Sequence, residues 1–451
     1  MNVLYIHTHD SGRYLQPYGY AVPTPNLMRL AGESVLFRQC HCAGPTCSPS
    51  RAAMLTGTWP HINGMIGLAH RGFALRDPGM HLVHHLNGHG FETVLCGVQH
   101  EAASAETLGY QHIFPRVKGG LSIPDMESYD LQNTRSACEY LHSRGAKNGT
   151  AGRSGQARPF FLSVGLVNTH RAFPTETGDI RQEYIQPPPT MYDCRENRQD
   201  MAGFIATAVV ADRCVGMVLD ALRQAGLEDD TIVLFTTDHG IAFPRMKCHL
   251  YDTGTGVAMM MKFPGNPAAG SACDALVSHI DVFPTLCDLL GLPTPPTVKG
   301  RSLTPILRGD AQEVNDAIFA EVNYHAAYEP MRCIRTARHK FIRRYDWHGG
   351  PVPANTDGGP AKDFYRQAGY FDRPLAREML FDLHLDPMER ENLIGDPTYQ
   401  AVHNDLSARL VRWMEDTNDP LLRVGHRIPA PPGAVVNTRT CVEAKETEEL
   451  E

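Results

Sequence analysis

"TIVLFTTDHG", residues 231–240, decides the fold. It is a short apolar, β-branched run that stops abruptly at Asp238, His239 and a glycine. A continuous apolar run bounded by polar punctuation predicts a strand buried on both faces, the kind found in parallel sheets. "NVLYI" (residues 2–6) repeats the pattern and stops at the polar cluster 7–12; "FFLSVGLV" (160–167) stops at "NTHR". Three apolar strands that each end in His or Asp predict a largely parallel sheet with functional groups at its carboxyl edge, where such sheets collect ligands.

Helical spacing fills the intervals. Residues 26–35, 81–90, 200–227 and 281–292 all carry it, the long third segment being closed by Gly226. Strand–helix alternation predicts an α/β fold with helices on both faces of the sheet. Past residue 330 the texture changes. "MRCIRTARHKFIRRY" (331–345) alternates like a half-exposed strand, a Gly/Pro/Asp-rich loop covers 348–363, and "EMLFDLHLDPMERENL" (378–393) reads as strand, turn and helix start. The expected organisation is a large α/β domain over 1–330, a smaller α+β subdomain with antiparallel strands and a helix over 331–440, and an acidic tail over 441–451.

The chain has 451 residues with 42 Lys and Arg against 50 Asp and Glu, a net charge of −8. That balance argues against nucleic-acid and anionic-membrane binding. No apolar run stands out as long enough to span a bilayer. "MNVLYIHTHD" lacks a charged n-region and a long apolar h-region, so it reads as a core strand rather than a leader. The 12 cysteines include no CxxC pair, which fits reduced thiols in a cytoplasmic protein; a periplasmic or secreted location would follow from a trimmed leader. Self-association is left open.

"HTHDSGR" sets Asp10 beside His7, His9 and Arg13. On an extended strand His7 and His9 share a face and Asp10 points away, unless the strand has already ended. The competing reading is a strand end meeting water. A second acid–imidazole pair, Asp238 and His239, favours a divalent metal site: carboxylates suit hard cations, and added imidazole draws a site toward Mn or Zn. His100, after "FETVLCGV", and His170 with Arg171 become acid–base candidates beside such a metal, and are ordinary core or surface groups otherwise.

"GPTCSPSRAAMLTG" (44–57) puts Cys47 between Pro45 and Pro49, in a turn ahead of a helix expected from Ser50 and Arg51. A cysteine nucleophile needs a base; Arg51 can hold a thiolate but cannot accept its proton, and His41 is the nearest imidazole. Neither a plain nucleophile nor a packing cysteine explains the setting.

The stretch "CSPSRAAMLTG" resembles the signature of the formylglycine-dependent sulfatases, Cys-x-Pro-Ser-Arg followed by Leu-Thr-Gly. The similarity continues through "PHINGM", "GFETVLCGVQH", "PFFLSVGLVNTHR", "TTDHG" and "RSLTPIL", and covers nearly the whole chain. It implies the alkaline-phosphatase-like fold, with a large sheet between helices and a smaller C-terminal part. "DHGIAFPRMKCHLY" and "EVNYHAAYEPMRCIRTARHKFIR" are similar in texture to the heparan N-sulfatase branch.

The resemblance implies that Cys47 is oxidised by a maturation enzyme to Cα-formylglycine, whose hydrate attacks sulfur and afterwards expels sulfate. It implies metal ligands at Asp10, Asp238, His239 and residue 47, a diol-stabilising Arg51, an elimination base at His100, a leaving-group acid at His170 and a sulfate-binding cation at Lys247. The substrate implied is a sulfated small molecule or saccharide, N- or O-linked. Two departures stand out. His9 replaces a carboxylate, which loosens the family's preference for calcium and admits Mn, Mg or Zn. Val98 replaces a lysine, for which Arg13, Arg171 and Arg245 are candidate substitutes. Two other functions compete: a phosphonate monoester or phosphodiester hydrolase, and a binding protein that has lost catalysis. The basic strand Arg332, Arg335, Arg338 and Lys340 is expected to be a solvated face, against a role in recognising a sugar's carboxylate or second sulfate; Tyr324 and His325 would line the pocket mouth.

Overall fold

A computed structural model describes residues 1–114, 125–150, 158–345, 349–423 and 427–444. The large sheet contains β1 (Asn2–Thr8), β2 (Val35–His41), β3 (Glu92–Gly97), β4 (His112–Phe114), β5 (Phe160–Gly165), β6 (Thr231–Thr237), β7 (Met259–Lys262) and β8 (Ser271–Ser278). Their order across the sheet is β4-β3-β5-β1-β6-β7-β2-β8. All neighbours run parallel except β7, which is antiparallel to both β6 and β2. The mixed, mostly parallel α/β sheet expected from the apolar runs is therefore present.

The reason those strands are apolar throughout is visible in β1. Val3 and Tyr5 enter one hydrophobic core and Leu4 and Ile6 the other, each nearly inaccessible to solvent. Both faces are covered, so no residue of the strand is free to be polar until it ends. The helices Pro25–Glu33, Leu82–Gly88, Arg195–Gln224 and Val282–Leu290 fall where helical spacing placed them. Arg195–Gln224 runs against the expectation that no segment could span a membrane. By length and composition it is apolar enough to do so, yet most of that stretch is buried inside the protein, Val215 and Val218 completely.

A second, antiparallel sheet has the order β12-β11-β10-β9, from β9 (Ala317–Tyr324), β10 (Tyr328–Thr336), β11 (His339–Arg344) and β12 (Glu378–Asp382). It starts at Ala317, ahead of the change in texture. Residues 331–345 contribute to two strands, with Met331 opposite Arg344 and Arg335 opposite Lys340, rather than to one. Residues 383–385 and 387–388 form turns, 389–393 is irregular, and the helix of this region is Gln400–Asp416. The acidic end from 445 onward lies outside the described residues.

The solvated basic face is overturned. Arg332 is fully buried and pairs with Asp419 at 2.5 Å. Arg335 reaches Asp252 at 3.0 Å, and buried Lys340 reaches Asp252 at 2.5 Å and Glu389 at 2.8 Å. Among the four only Arg338 stays exposed at its side chain, against Asp382. Alternation marks a polar face without saying whether water or another element covers it. Here carboxylates from outside the strands cover it, which is the condition for burying charge.

Candidate active site

The carboxyl ends of β1, β3, β5 and β6 come level because the register aligns them: His7 lies opposite Gly165 and Thr236, and Gly97 opposite Gly165. Gly97 adopts φ 92°, and a Cβ there would stand 2.1 Å from the Gly165 carbonyl oxygen. Only glycine allows that approach, and it turns the chain after β3 toward the site.

β1 ends at Thr8, so His9 and Asp10 lie in a loop rather than on alternate strand faces. Asp10 has φ 37°, a left-handed conformation that Asp tolerates better than most residues. Its N–H donates to Asp238 Oδ1 at 2.8 Å, as does the His239 N–H at 2.9 Å. Asp10 Oδ2 accepts from Lys247 Nζ at 3.0 Å, and its Oδ1 is 3.3 Å from His239 Nε2 and 4.0 Å from Cys47 Sγ. His239 Nδ1 donates to the Gly240 carbonyl at 2.9 Å, which turns Nε2 toward Cys47 Sγ, 3.3 Å away.

Cys47 opens the helix Cys47–Thr56, three residues earlier than expected. Pro49 stands in its first turn, where a missing N–H costs no hydrogen bond. Burial pushes the Cys47 thiol well above its ordinary range, outweighing the pull of Lys247. Unmodified, it stays protonated and is a poor nucleophile. Every residue of this helix is buried.

Arg51 leaves that helix to bind Asp238 Oδ2 through Nε at 3.1 Å and Nη2 at 2.9 Å, the Thr8 carbonyl at 2.9 Å, and His7 Nδ1. It fastens helix to strand ends. Burial opposes ionisation of Asp10 and Asp238. Lys247, His170 and His239 outweigh it for Asp10, and His239 and Arg51 for Asp238, so both carboxyls titrate below their usual range. His9 is held neutral, its pKa lowered to about 3 by burial and then by Arg51.

One donor atom each from His9, Asp10, Cys47 and Asp238 lies within 4.8 Å of the others, all four residues buried. Both His9 ring nitrogens are buried without a hydrogen-bond partner, Nδ1 standing 3.3 Å from Asp238 Oδ2. Two carboxylates, an orphaned neutral imidazole and the Nε2 of His239 fit a divalent cation.

His100 and His170 stand around this core, with ring centroids 6.2 and 5.4 Å from that of His9. His170 Nδ1 donates to the Arg171 carbonyl at 2.5 Å, which orients the ring. Lys247 bridges Asp10 and Asp357, the latter at 2.8 Å. His325 is buried beside that pair, its pKa lowered to about 3 by burial and by Lys247.

Other candidates are engaged elsewhere. Arg171 clamps Asp200 at 2.8 and 2.5 Å and lies over the rings of Phe173 and Phe243. Arg13 donates to the Cys40 carbonyl and contacts His41 Nε2. Arg245 donates to the Glu389 carbonyl over Tyr251. Tyr324 turns its hydroxyl to the Ile428 carbonyl and packs in the core. None of the three arginines is brought to the cluster in place of the lysine missing at Val98. Two site residues had no signal in the sequence: Asp357, a lone acid in a Gly/Pro-rich loop, and His70, whose Nδ1 lies 2.9 Å from His100 Nε2.

A family model described as Sulfatase matches residues 1–292. The chain belongs to the sulfatase family. The resemblance carried by Cys47, Pro49, Ser50 and Arg51 is thereby met, and the chain is an enzyme class member that hydrolyses sulfate esters or sulfamates. A second model, described as N-sulphoglucosamine sulphohydrolase, C-terminal, matches residues 239–349 of this sulfatase. The human N-sulphoglucosamine sulphohydrolase is 28% identical to it, covering 93% of this chain and 91% of that protein. Among solved structures, a 2-O GAG sulfatase is 21% identical with a TM-score of 0.72, covering 99% of this chain and 98% of that one. A structure in complex with its substrate D-glucosamine-2-N,6-O-disulfate is 17% identical with a TM-score of 0.71, covering 93% and 98%. At these identities the two structures speak for the fold alone.

Proposed function

We propose that this sulfatase removes sulfate from a saccharide, as a sulfamate or a sulfate ester, with residue 47 in its Cα-formylglycine form. The observation that carries the reading is Cys47 itself. It is a buried, protonated thiol at the head of a helix, facing two carboxylates and two imidazoles. As a thiol it does little there; as an oxygen-bearing residue it completes a donor set.

Asp10, Asp238, His9, His239 and the modified residue 47 would hold the divalent cation. That cation supplies Lewis-acid polarisation of oxygen and neutralises charge on the sulfuryl group. Arg51 keeps Asp238 ionised and in place. Lys247 offers its ammonium to the sulfuryl oxygens, Asp10 and Asp357 holding it at the site. His170, its ring oriented by the Arg171 carbonyl, presents Nε2 to protonate the departing nitrogen or oxygen. His100, its pKa lowered chiefly by burial, takes the proton that must leave residue 47 when sulfate is released. The match over residues 239–349 and the human relative favour an N-sulfated glucosamine among saccharides.

The test uses protein whose residue 47 has been verified by peptide mass. Turnover is compared on N-sulfated glucosamine, O-sulfated monosaccharides, an aryl sulfate and an aryl phosphonate. Preference for a sulfated sugar is expected. Preference for the phosphonate, or full activity from protein still carrying Cys47, would overturn the reading.

A further inference from the structure

His100 presents an unusual problem for a base. It is 5% exposed, its Nδ1 is buried with no hydrogen-bond partner, and its other nitrogen is occupied by another imidazole. A proton that arrives on such a ring has no direct path to water. It needs an outlet.

The geometry of the His70–His100 pair provides one. The ring planes differ by 11°, the centroids are 5.1 Å apart, and His70 Nδ1 stands 2.9 Å from His100 Nε2. An imidazole nitrogen lies about 1.1 Å from its ring centre, so 2.9 Å plus two such radii reproduces the centroid separation within about 0.1 Å. The two rings are therefore edge to edge in nearly one plane, with the N–N line along both ring axes. This is the arrangement of an in-plane N–H···N hydrogen bond rather than of stacking. Between two neutral rings one nitrogen carries the hydrogen and the other accepts. If His100 Nε2 donates, its buried, unpartnered Nδ1 keeps a lone pair, and His70 is left with its hydrogen on Nε2. His70 is exposed, in a short turn at Ala69–Arg71.

We propose that His70 is the positioning and relay residue for His100: it fixes the tautomer that leaves the His100 Nδ1 lone pair facing the site, and it conducts the abstracted proton to solvent. This rests on the role of His100 given above. In the step, the hydroxyl of residue 47 gives its proton to His100 Nδ1 as the bond to the departing sulfate oxygen breaks and the carbonyl forms. His100 Nε2–H passes to His70 Nδ1, and His70 Nε2–H passes to water. One proton reaches solvent and both rings finish with their hydrogens on the opposite nitrogens. Ring flips restore the starting tautomers. No redox partner is involved.

Two measurements test it. The first uses protein carrying unconverted Cys47 and histidine-selective 15N labelling. His70 Nδ1 and His100 Nδ1 are expected without hydrogens, and His70 Nε2 and His100 Nε2 with them. A hydrogen on His100 Nδ1 overturns the proposal, because no lone pair would then face the site. The second uses enzyme with verified conversion and an aryl sulfate. In His70→Gln the first, burst-phase release of the leaving group is expected at its wild-type rate, while kcat falls about tenfold or more and the residue-47 peptide accumulates one sulfuryl group. Free imidazole should restore kcat to His70→Ala. Burst and turnover falling together, or unchanged turnover in both variants, overturns the relay. Absence of a burst and of any sulfuryl adduct in the wild type would instead sink the formylglycine reading itself.

Discussion

Arg51 offers the sharpest quantitative test, because its guanidinium is bound to the site rather than free within it. Its side chain is about 1% exposed, and so is that of its partner Asp238. Replacing it by alanine removes two hydrogen bonds to Asp238, one to the Thr8 carbonyl and the contact with His7. It also leaves Asp238 buried with its charge less compensated. Removing one partner of a buried pair costs about 3–5 kcal/mol. An unfolding entropy of about 2.1 cal/mol/K per residue over 451 residues gives about 0.95 kcal/mol/K, so the expected fall in Tm is about 3–5 °C. Asp238→Ala should cost a similar amount by stranding the guanidinium. The double variant should then be less unstable than the two singles summed, by about 2 kcal/mol or more, since it strands neither charge. Metal-free protein with Cys47 is the right sample, so that catalysis and cation binding play no part. Calorimetry on the four proteins completes the cycle. Additive losses, or Arg51→Ala within about 1 °C of wild type, would refute the view that this arginine fastens the Cys47 helix to the strand ends.

Further predictions concern acid stability and metal choice. His81 is fully buried, accepts from the Val83 N–H at 3.3 Å, and has its pKa lowered to about 3 by burial and then by His84. Its folded value lies below the unfolded one, so its contribution is complete above pH 6.5 and is lost as pH falls toward 3. Between pH 7 and 4.5 the wild type should lose about 2.7 kcal/mol more than His81→Asn, which keeps a helix-capping side chain. Equal losses in calorimetry would contradict this. Adding a divalent cation at about a hundred times its Kd should stabilise by about 2.7 kcal/mol, roughly 3 °C, and a chelator should reverse it. His9→Asp should move the preference from Zn or Mn toward Ca, read by calorimetric titration of each ion; unchanged ratios would show that His9 is no ligand.

The fold was legible because buried parallel strands must be apolar throughout, so 2–6, 160–167 and 231–237 announced themselves. Antiparallel β7, "MMMK", carried no such mark: its reversal depends on how the chain between β6 and β7 returns, which no local pattern records. In the site, Cys47, Asp10, Asp238, His239 and His100 were legible by motif or by strand end. His70 and Asp357 were not, since a single His or Asp in a loop acquires meaning only when folding sets it against a partner. Arg171 shows the converse. It follows His170 immediately, yet Asp200 from the long helix claims its guanidinium.

Residues 238–258, between β6 and β7, hold more than the site. Asp238 and His239 at its start and Lys247 near its middle face the cluster, while Asp252 farther along takes Lys340 and Arg335 from the small sheet. The same segment thus answers to two masters. A small sheet lacking cations at positions 335 and 340 would leave Asp252 without these partners and loosen the segment that carries Asp238 and His239. The small sheet is thus part of what holds the ligand-bearing segment in place.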